Sequence, residues 1–181
     1  VISVVAVSLK KRSRVQGNVN AAGLIKTTPN GGAVIAGASN QHSSFTSLPL
    51  ATKTVTPGTS NFTLNSGTGT LTNPYVIAPG NYGTYTINSN NVVAFSGGTY
   101  QFAQLVFHAD VTIVLNQTTP VDVRVQTNLS FGDRLVVTSS SGVVAQFYSS
   151  QTSEVRVGTD IAAFPFALAV PQGTIHVFSR T

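Results

Sequence analysis

The sequence predicts an all-β chain wound as a β-solenoid, a pile of coils with one strand from each coil in each wall. Three observations carry this. Five short segments read as copies of one strand: Asn91-Val-Val-Ala-Phe-Ser, Asp110-Val-Thr-Ile-Val-Leu, Asp133-Arg-Leu-Val-Val-Thr, Ser153-Glu-Val-Arg-Val-Gly and Gly173-Thr-Ile-His-Val-Phe. They recur at steps of 19, 23, 20 and 20 residues, the spacing of units that bury an apolar face only against their neighbours. Within them apolar and polar residues alternate, the period of a strand with one buried face. Finally, Pro, Gly and β-branched residues interrupt every window long enough for a helix, although a short capping helix near Ile161–Phe166 stays open. An antiparallel jelly-roll sandwich is the alternative that composition alone allows.

Taken in order, Val1 to Leu9 is a β-branched strand, ended by the basic run Lys10, Lys11, Arg12 and Arg14. Two short strands follow around Val15–Ile25. Pro29-Asn-Gly-Gly is a turn, and Ala33–Ala36 another short strand. Residues 1–37 thus hold an N-terminal strand and the first coils of a single domain. Residues 38–77 form an irregular excursion with a strand near Phe62–Leu64, expected to wrap the side of the pile. Regular coils are expected over 78–181. Val111, Ile113 and Leu115 face inward there, followed by Leu135 and Val137, then Val155 and Val157, then Ile175 and Val177. Arg134, Thr138, Glu154, Arg156, Thr174 and His176 face out. Each buried aliphatic side chain contributes roughly 1.5–3 kcal/mol against ~1–2 kcal/mol to order each residue's backbone. A lone coil is therefore unstable, and stacking must supply the balance.

The composition narrows the function. Of 181 residues only 8% are charged, against about 25% in an average protein, so Ser, Thr, Asn, Gln and Gly cover the surface. Hydrophobic residues make up 41%, too many for a disordered chain. The net charge of +5 owes most to the run Lys10, Lys11, Arg12 and Arg14, a candidate polyanion patch and not a nucleic-acid-binding face. With no cysteine, disulfides and thiolate metal sites are excluded. The absence of methionine leads us to expect a processed or trimmed chain. No apolar run approaches the ~20 residues of a membrane span, and the charges after Val1–Leu9 stand on the wrong side for a secretory signal.

No pattern for catalysis, cofactor or metal emerges. Asp110 and Asp133 are expected to stack one coil apart, but Ser153 and Gly173 take the next equivalent positions and Arg134 points elsewhere, so both read as turn residues. His42, His108 and His176 have no ligand spacing. Neither a nucleophile elbow nor a phosphate loop is present. Thr84, Thr86 and Thr112 do not continue as a regular threonine ladder. Asn61-Phe-Thr, Asn116-Gln-Thr and Asn128-Leu-Ser fit the glycosylation acceptor pattern, which arises easily in so Thr- and Asn-rich a chain.

Several stretches resemble a known group. Gly17-Asn-Val-Asn-Ala-Ala-Gly-Leu-Ile resembles the GNV-x-x-x-G-x-I opening of bacterial surface β-helix domains, found in pilus-associated PilX-like and choice-of-anchor-A-like proteins. Ala78-Pro-Gly-Asn-Tyr-Gly-Thr-Tyr-Thr-Ile, Ser96-Gly-Gly-Thr-Tyr-Gln-Phe and Ala169-Val-Pro-Gln-Gly-Thr-Ile-His-Val resemble later elements of the same domains. Bactofilins, short coils that polymerise end to end, are similar in style. The resemblance covers most of 15–181 and implies a right-handed β-helix outside the cell, with no catalytic set.

The expected role is structural: a non-enzymatic extracellular subunit that polymerises with itself into a filament, sheath or surface appendage. The final strand, with Ile175 and Val177, stops without a polar cap, and Val1, Ile2, Val4, Val5, Val7 and Leu9 have no evident partner. Unpaired edges of this kind are templates for another chain. The alternative is an adhesin or carbohydrate-binding module that meets surface polysaccharide through the 38–72 excursion or through exposed Tyr82, Tyr85 and Tyr100. A polysaccharide-lyase-type enzyme and a viral coat protein rank lower, the first because acidic residues are scarce.

Overall fold

The computed structural model describes residues 52–115, 119–139, 145–161 and 166–178 in full, together with the backbone of seven strands within 2–41. Those seven are β1 (Ile2–Val4), β2 (Val7–Leu9), β3 (Arg14–Val15), β4 (Val19–Ala21), β5 (Ile25–Thr27), β6 (Val34–Ile35) and β7 (Ser39–Gln41). Then come β8 (Phe62–Leu64), β9 (Tyr75–Ile77), β10 (Gly80–Ile87), β11 (Val92–Phe95), β12 (Gly98–Phe107) and β13 (Thr112–Leu115). The rest are β14 (Val121–Phe131), β15 (Val136–Ser139), β16 (Ala145–Ser149), β17 (Glu154–Val157), β18 (Ala167–Ala169) and β19 (Thr174–Val177). Every strand pairing is parallel, and no helix occurs among the described residues. The chain is a right-handed β-helix, and the antiparallel jelly roll is excluded.

Each coil has three sides. β10, β12 and β14 are long because each bends around a corner and serves two walls. The first half of β14 pairs with β16 (Val123↔Phe147) and its second half with β17 (Phe131↔Val157). The bend falls where the β12–β14 register shifts after Phe102, which accommodates an additional residue in β14. The third wall is the four-stranded sheet β15-β13-β11-β9.

Inward residues form columns up the stack. One runs Leu64, Ile87, Phe107, Phe131, Val157, Val177. Another runs Tyr100, Val123, Phe147, Leu168. A third runs Ile77, Phe95 and on to Leu115. Strand spacing of about 4.8 Å lets like side chains stack: the Phe107 and Phe131 rings lie 5.5 Å apart and nearly parallel.

The corners are also built in register. Gly67, Asn90, Asp110, Arg134 and Asp160 all have positive φ, a conformation Asn, Asp and Gly tolerate best. At the same corner the chain passes so closely that a Cβ on Gly158 would lie 2.4 Å from the carbonyl carbon of Gly132.

Three expectations need correction. The five look-alike segments belong to two walls. Those starting at Asn91, Asp110 and Asp133 supply β11, β13 and β15, whereas those at Ser153 and Gly173 supply β17 and β19 beside β14. The coil between Phe131 and Val157 takes 26 residues, so a step of 20 from Asp133 stops one wall short of a full turn. Val111 and Leu135 are therefore neighbours, as are Val155 and Ile175, in separate columns.

Second, the two ends expected to seek another chain find each other. β2 pairs with β19, Leu9 opposite Val177 and Ser8 opposite His176, and β5 then pairs with β2. The N-terminal coils thus sit on the C-terminal end of the stack. Ile175 and Val177 face the chain's own Val7–Leu9 strand, and Ile2 and Val4 pair with Val19 and Ala21. Val1, Val5, Lys10, Lys11 and Arg12 lie outside the described residues, and Arg14 pairs with Val34 in the β3–β6 ladder.

Third, regular coils begin at Phe62 and not at 78, because β8 and β9 form a coil of the stack. Before them, residues 52–61 run across the outer face of the coils, as expected of the excursion. Lys53 Nζ donates to Asp122 Oδ1 at 2.8 Å and Gln146 Oε1 at 3.0 Å. Arg124 donates to the Thr54 carbonyl at 3.3 Å and pairs with Asp122 at 2.8 Å. Thr56 N–H donates to Gln101 Oε1 at 2.7 Å, and Gly58 N–H to the Tyr82 carbonyl at 3.1 Å. The strap descends from β16 past β14 and β12 to β10 and delivers the chain to β8.

Candidate docking site: the uncapped first coil

The strap delivers the chain to the end coil, Phe62–Ile77. β8 has β10 as its only strand neighbour and β9 has only β11, so their outer edges are free among the described strands. Phe62 lies opposite Tyr85, and Tyr75 opposite Val93, on the core side of the stack. Nothing described lies beyond them, and Phe62 is 38% exposed. Leu71 and Val76 are exposed at 67% and 58%.

Here the aromatic core opens to solvent as a cleft of about 310 Å³, walled by Phe62, Tyr75, Tyr82 and Tyr85 with Ser60 and Asn61 on its rim. Phe62 stacks on Tyr75 at 5.9 Å and tilts against Tyr85 at 4.9 Å. Tyr82 meets Tyr85 edge-on at 5.5 Å and stacks on Phe102 at 5.1 Å. Its hydroxyl donates to the Ala78 carbonyl at 2.6 Å. Burial, reinforced by neighbouring Tyr75, pushes the Tyr82 and Tyr85 hydroxyls above their ordinary range, so both stay neutral at physiological pH. The surroundings are neutral too: residues 54–107 contain no Asp, Glu, Lys or Arg. Charges and inward Lys are what edge strands ordinarily use to repel a second chain.

The coil is held rigidly. Asn91, fully buried, donates through Nδ2 to the Asn88 carbonyl at 2.8 Å and accepts from Thr68 N–H at 2.6 Å. Tyr100 Oη accepts from Ser96 N–H at 2.8 Å and donates to the Ile77 carbonyl at 3.1 Å. Asn61 Oδ1 accepts from Thr84 N–H at 2.7 Å and packs where a Cβ on Gly83 would stand, 2.3 Å away.

The residues singled out from sequence fall as follows. Tyr100 is 0% and Tyr85 4% exposed. Neither is the exposed contact expected, because each occupies an inward position of its strand. Tyr82 alone of the three is half-buried, on the cleft wall.

Asp110 and Asp133 do not stack: register places Arg134 over Asp110, and its guanidinium grips that carboxylate at 2.6 and 2.5 Å. That hydrogen bonding holds the Asp110 carboxyl below its ordinary value. Asp133 instead accepts from Thr159 N–H at 2.7 Å. His108 stands exposed at a corner, His176 pairs with Glu154 at 2.8 Å, and His42 lies outside the described residues. Among the described residues no cluster of metal-ligating side chains forms.

Sequence reasoning missed Phe62, Tyr75 and Val76 as a site. The available signal was the apolar triplets Phe62-Thr-Leu and Tyr75-Val-Ile inside a long stretch free of charge. Comparison with protein-family models, curated proteins and solved structures finds no match.

Proposed function

We propose that this chain is a non-enzymatic structural subunit that acts outside the cell and associates with itself through its first coil. One observation carries the reading: the coil presents two free parallel strand edges and an open aromatic core end, with none of the charges that protect such edges. The extracellular placement rests on the resemblance to bacterial surface β-helix domains. Sedimentation across a concentration series tests the role. The wild type is expected to form multimers. Thr63→Lys combined with Val76→Lys should weaken association by on the order of tenfold, since each places a charge on a free edge strand, where charges deter pairing with a second chain. A wild type that stays monomeric throughout refutes the proposal.

The cleft favours a second reading, a site for a neutral polysaccharide. Its 310 Å³ lies at the small end of ligand sites, roughly 300–1,000 Å³, and its rings offer flat faces without charge. Retardation of the monomer in a neutral-polysaccharide gel, abolished by Tyr82→Ala, would favour this reading over the first.

A further inference from the structure

We infer that the first coil binds the first coil of a second copy, face to face across a two-fold axis that passes between the two Thr63 residues. The inference rests on the self-association proposed above and names its geometry.

The first coil lies out of reach of the stretches between described residues. The longest of these joins Gln41 to Thr52, and eleven residues span at most about 40 Å. β7 sits at the far end of the stack, separated from residues 58–60 of the first coil by β4, β1, β18, β16, β14, β12 and β10. A path from β7 to the first coil and back to β14, where Lys53 is held, covers about 53 Å at one strand spacing per step.

The end of the stack is a ramp. The first coil lays down its walls in the order 58–60, β8, β9. Gly58 N–H donates to the Tyr82 carbonyl and Gly83 N–H to the Ser60 carbonyl, while β8 and β9 pair with β10 and β11. A full turn rises one strand spacing, about 4.8 Å, so each wall stands about 1.6 Å above the one before it. A two-fold axis normal to the stack runs through one wall and exchanges the other two. Through the β8 wall it holds one strand spacing everywhere: β8 meets its copy, and the step up to β9 matches the copy's step down to 58–60. Through the β9 wall, the same spacing there makes β8 coincide with the copy's 58–60. Through the 58–60 wall, it leaves β8 about two spacings from the copy's β9. Only the middle wall of the ramp carries the axis. The rotation reverses chain direction, so the strands meet antiparallel, a pairing at least as stable as the parallel one.

The ladder places the axis along β8. Asn88 N–H donates to the Leu64 carbonyl and Gly83 N–H to the Ser60 carbonyl. Residues of that parity turn their backbone groups toward β10, so Thr63 turns its N–H and carbonyl to the free edge. Each Thr63 N–H then donates to the other's carbonyl, the close pair of an antiparallel ladder, with Cα atoms about 5.5 Å apart. Phe62, 38% exposed in one copy, comes opposite the other's Leu64, and the two open aromatic ends close each other off from water. A self-facing contact sets like on like, so charge there would repel itself; residues 54–107 carry none. A two-fold contact closes, and assembly stops at two copies.

The chain has no cysteine, so a single cysteine reports cleanly. Full-length Thr63→Cys and Val76→Cys proteins, each checked for wild-type melting, would be oxidised separately, and the wild type sedimented across a concentration series. Cα atoms about 5.5 Å apart suit a disulfide, so Thr63→Cys is expected to form a covalent homodimer. Val76→Cys should form none, because the axis sets β9 against the copy's 58–60 wall. The wild type should approach twice the monomer mass and stop there. A multimeric wild type whose Thr63→Cys protein does not cross-link, or whose Val76→Cys protein does, would overturn the axis and leave the proposed function standing, as would multimers that grow beyond two copies. A wild type that stays monomeric would overturn that function and this inference together.

Discussion

Replacing Tyr100 with Phe removes one oxygen and leaves the ring. The ring sits edge-on to Phe95 at 5.0 Å and parallel to Phe102 at 6.4 Å, fully buried, so packing is retained. What is lost is a bridge between two coils: the acceptor of Ser96 N–H and the donor to the Ile77 carbonyl. A buried polar group left without a partner costs about 1–3 kcal/mol. Two are exposed to that cost here, but Ser96 Oγ already lies 3.5 Å from the Ile77 carbonyl and can take over the donor role. The expected loss is about 2 kcal/mol. With a urea m-value of about 2 kcal/mol/M, the unfolding midpoint followed by far-UV circular dichroism falls by about 1 M. Tyr82→Phe is the internal control. Its hydroxyl bonds to Ala78 at the exposed rim, where water replaces the lost group, so it should cost under about 1 kcal/mol. A Tyr100→Phe midpoint within error of wild type, or a larger loss from Tyr82→Phe, would refute the buried bridge and reopen Tyr100 as a surface residue.

Two further outcomes follow from the geometry. Gly158→Ala forces a methyl to 2.4 Å from backbone carbon in the adjacent coil, so a loss of about 2–3 kcal/mol is expected, whereas Gly67→Ala, with open space around it, should lose only what its positive φ imposes; thermal melts compare the two. At Asp122, burial pushes the carboxyl up, but the hydrogen bonds from Arg124 and Lys53 outweigh it and hold the group below its ordinary value. Its contribution is therefore complete above the unfolded value of about 3.9 and is lost as pH falls through the lower folded value; amide exchange over residues 52–58 should quicken at acid pH in the wild type, and an Asp122→Asn protein that showed the same acid response would argue against the clasp.

The walls were legible because alternation is local. Val111-Thr-Ile-Val-Leu and Val121-Asp-Val-Arg-Val declare which face is buried with no knowledge of the neighbour, and a near-twenty repeat of such segments points to coils. What local pattern could not reveal was which wall each segment joins. Coil length varies from 17 residues between Ile2 and Val19 to 26 between Phe131 and Val157, and a constant step slips from one wall to the next. Nor could it separate buried Tyr100 from half-buried Tyr82, since both are inward aromatics and differ only in how many coils lie below them.

The amino-acid sequence by itself determined the class of fold, the uncharged character of the stretch from 54 to 107, and the absence of thiol chemistry, because each depends on residue type and short-range order alone. Tertiary structure alone decided that the N-terminal coils cap the C-terminal end, that Lys53 and Asp122 close a strap across 69 positions of sequence, and that Phe62–Ile77 carries edges that are free among the described strands. The physical reason is that parallel strands are paired through space by backbone hydrogen bonds, which carry no side-chain label: any coil of the right polarity can follow any other, and the chain's order does not say which does.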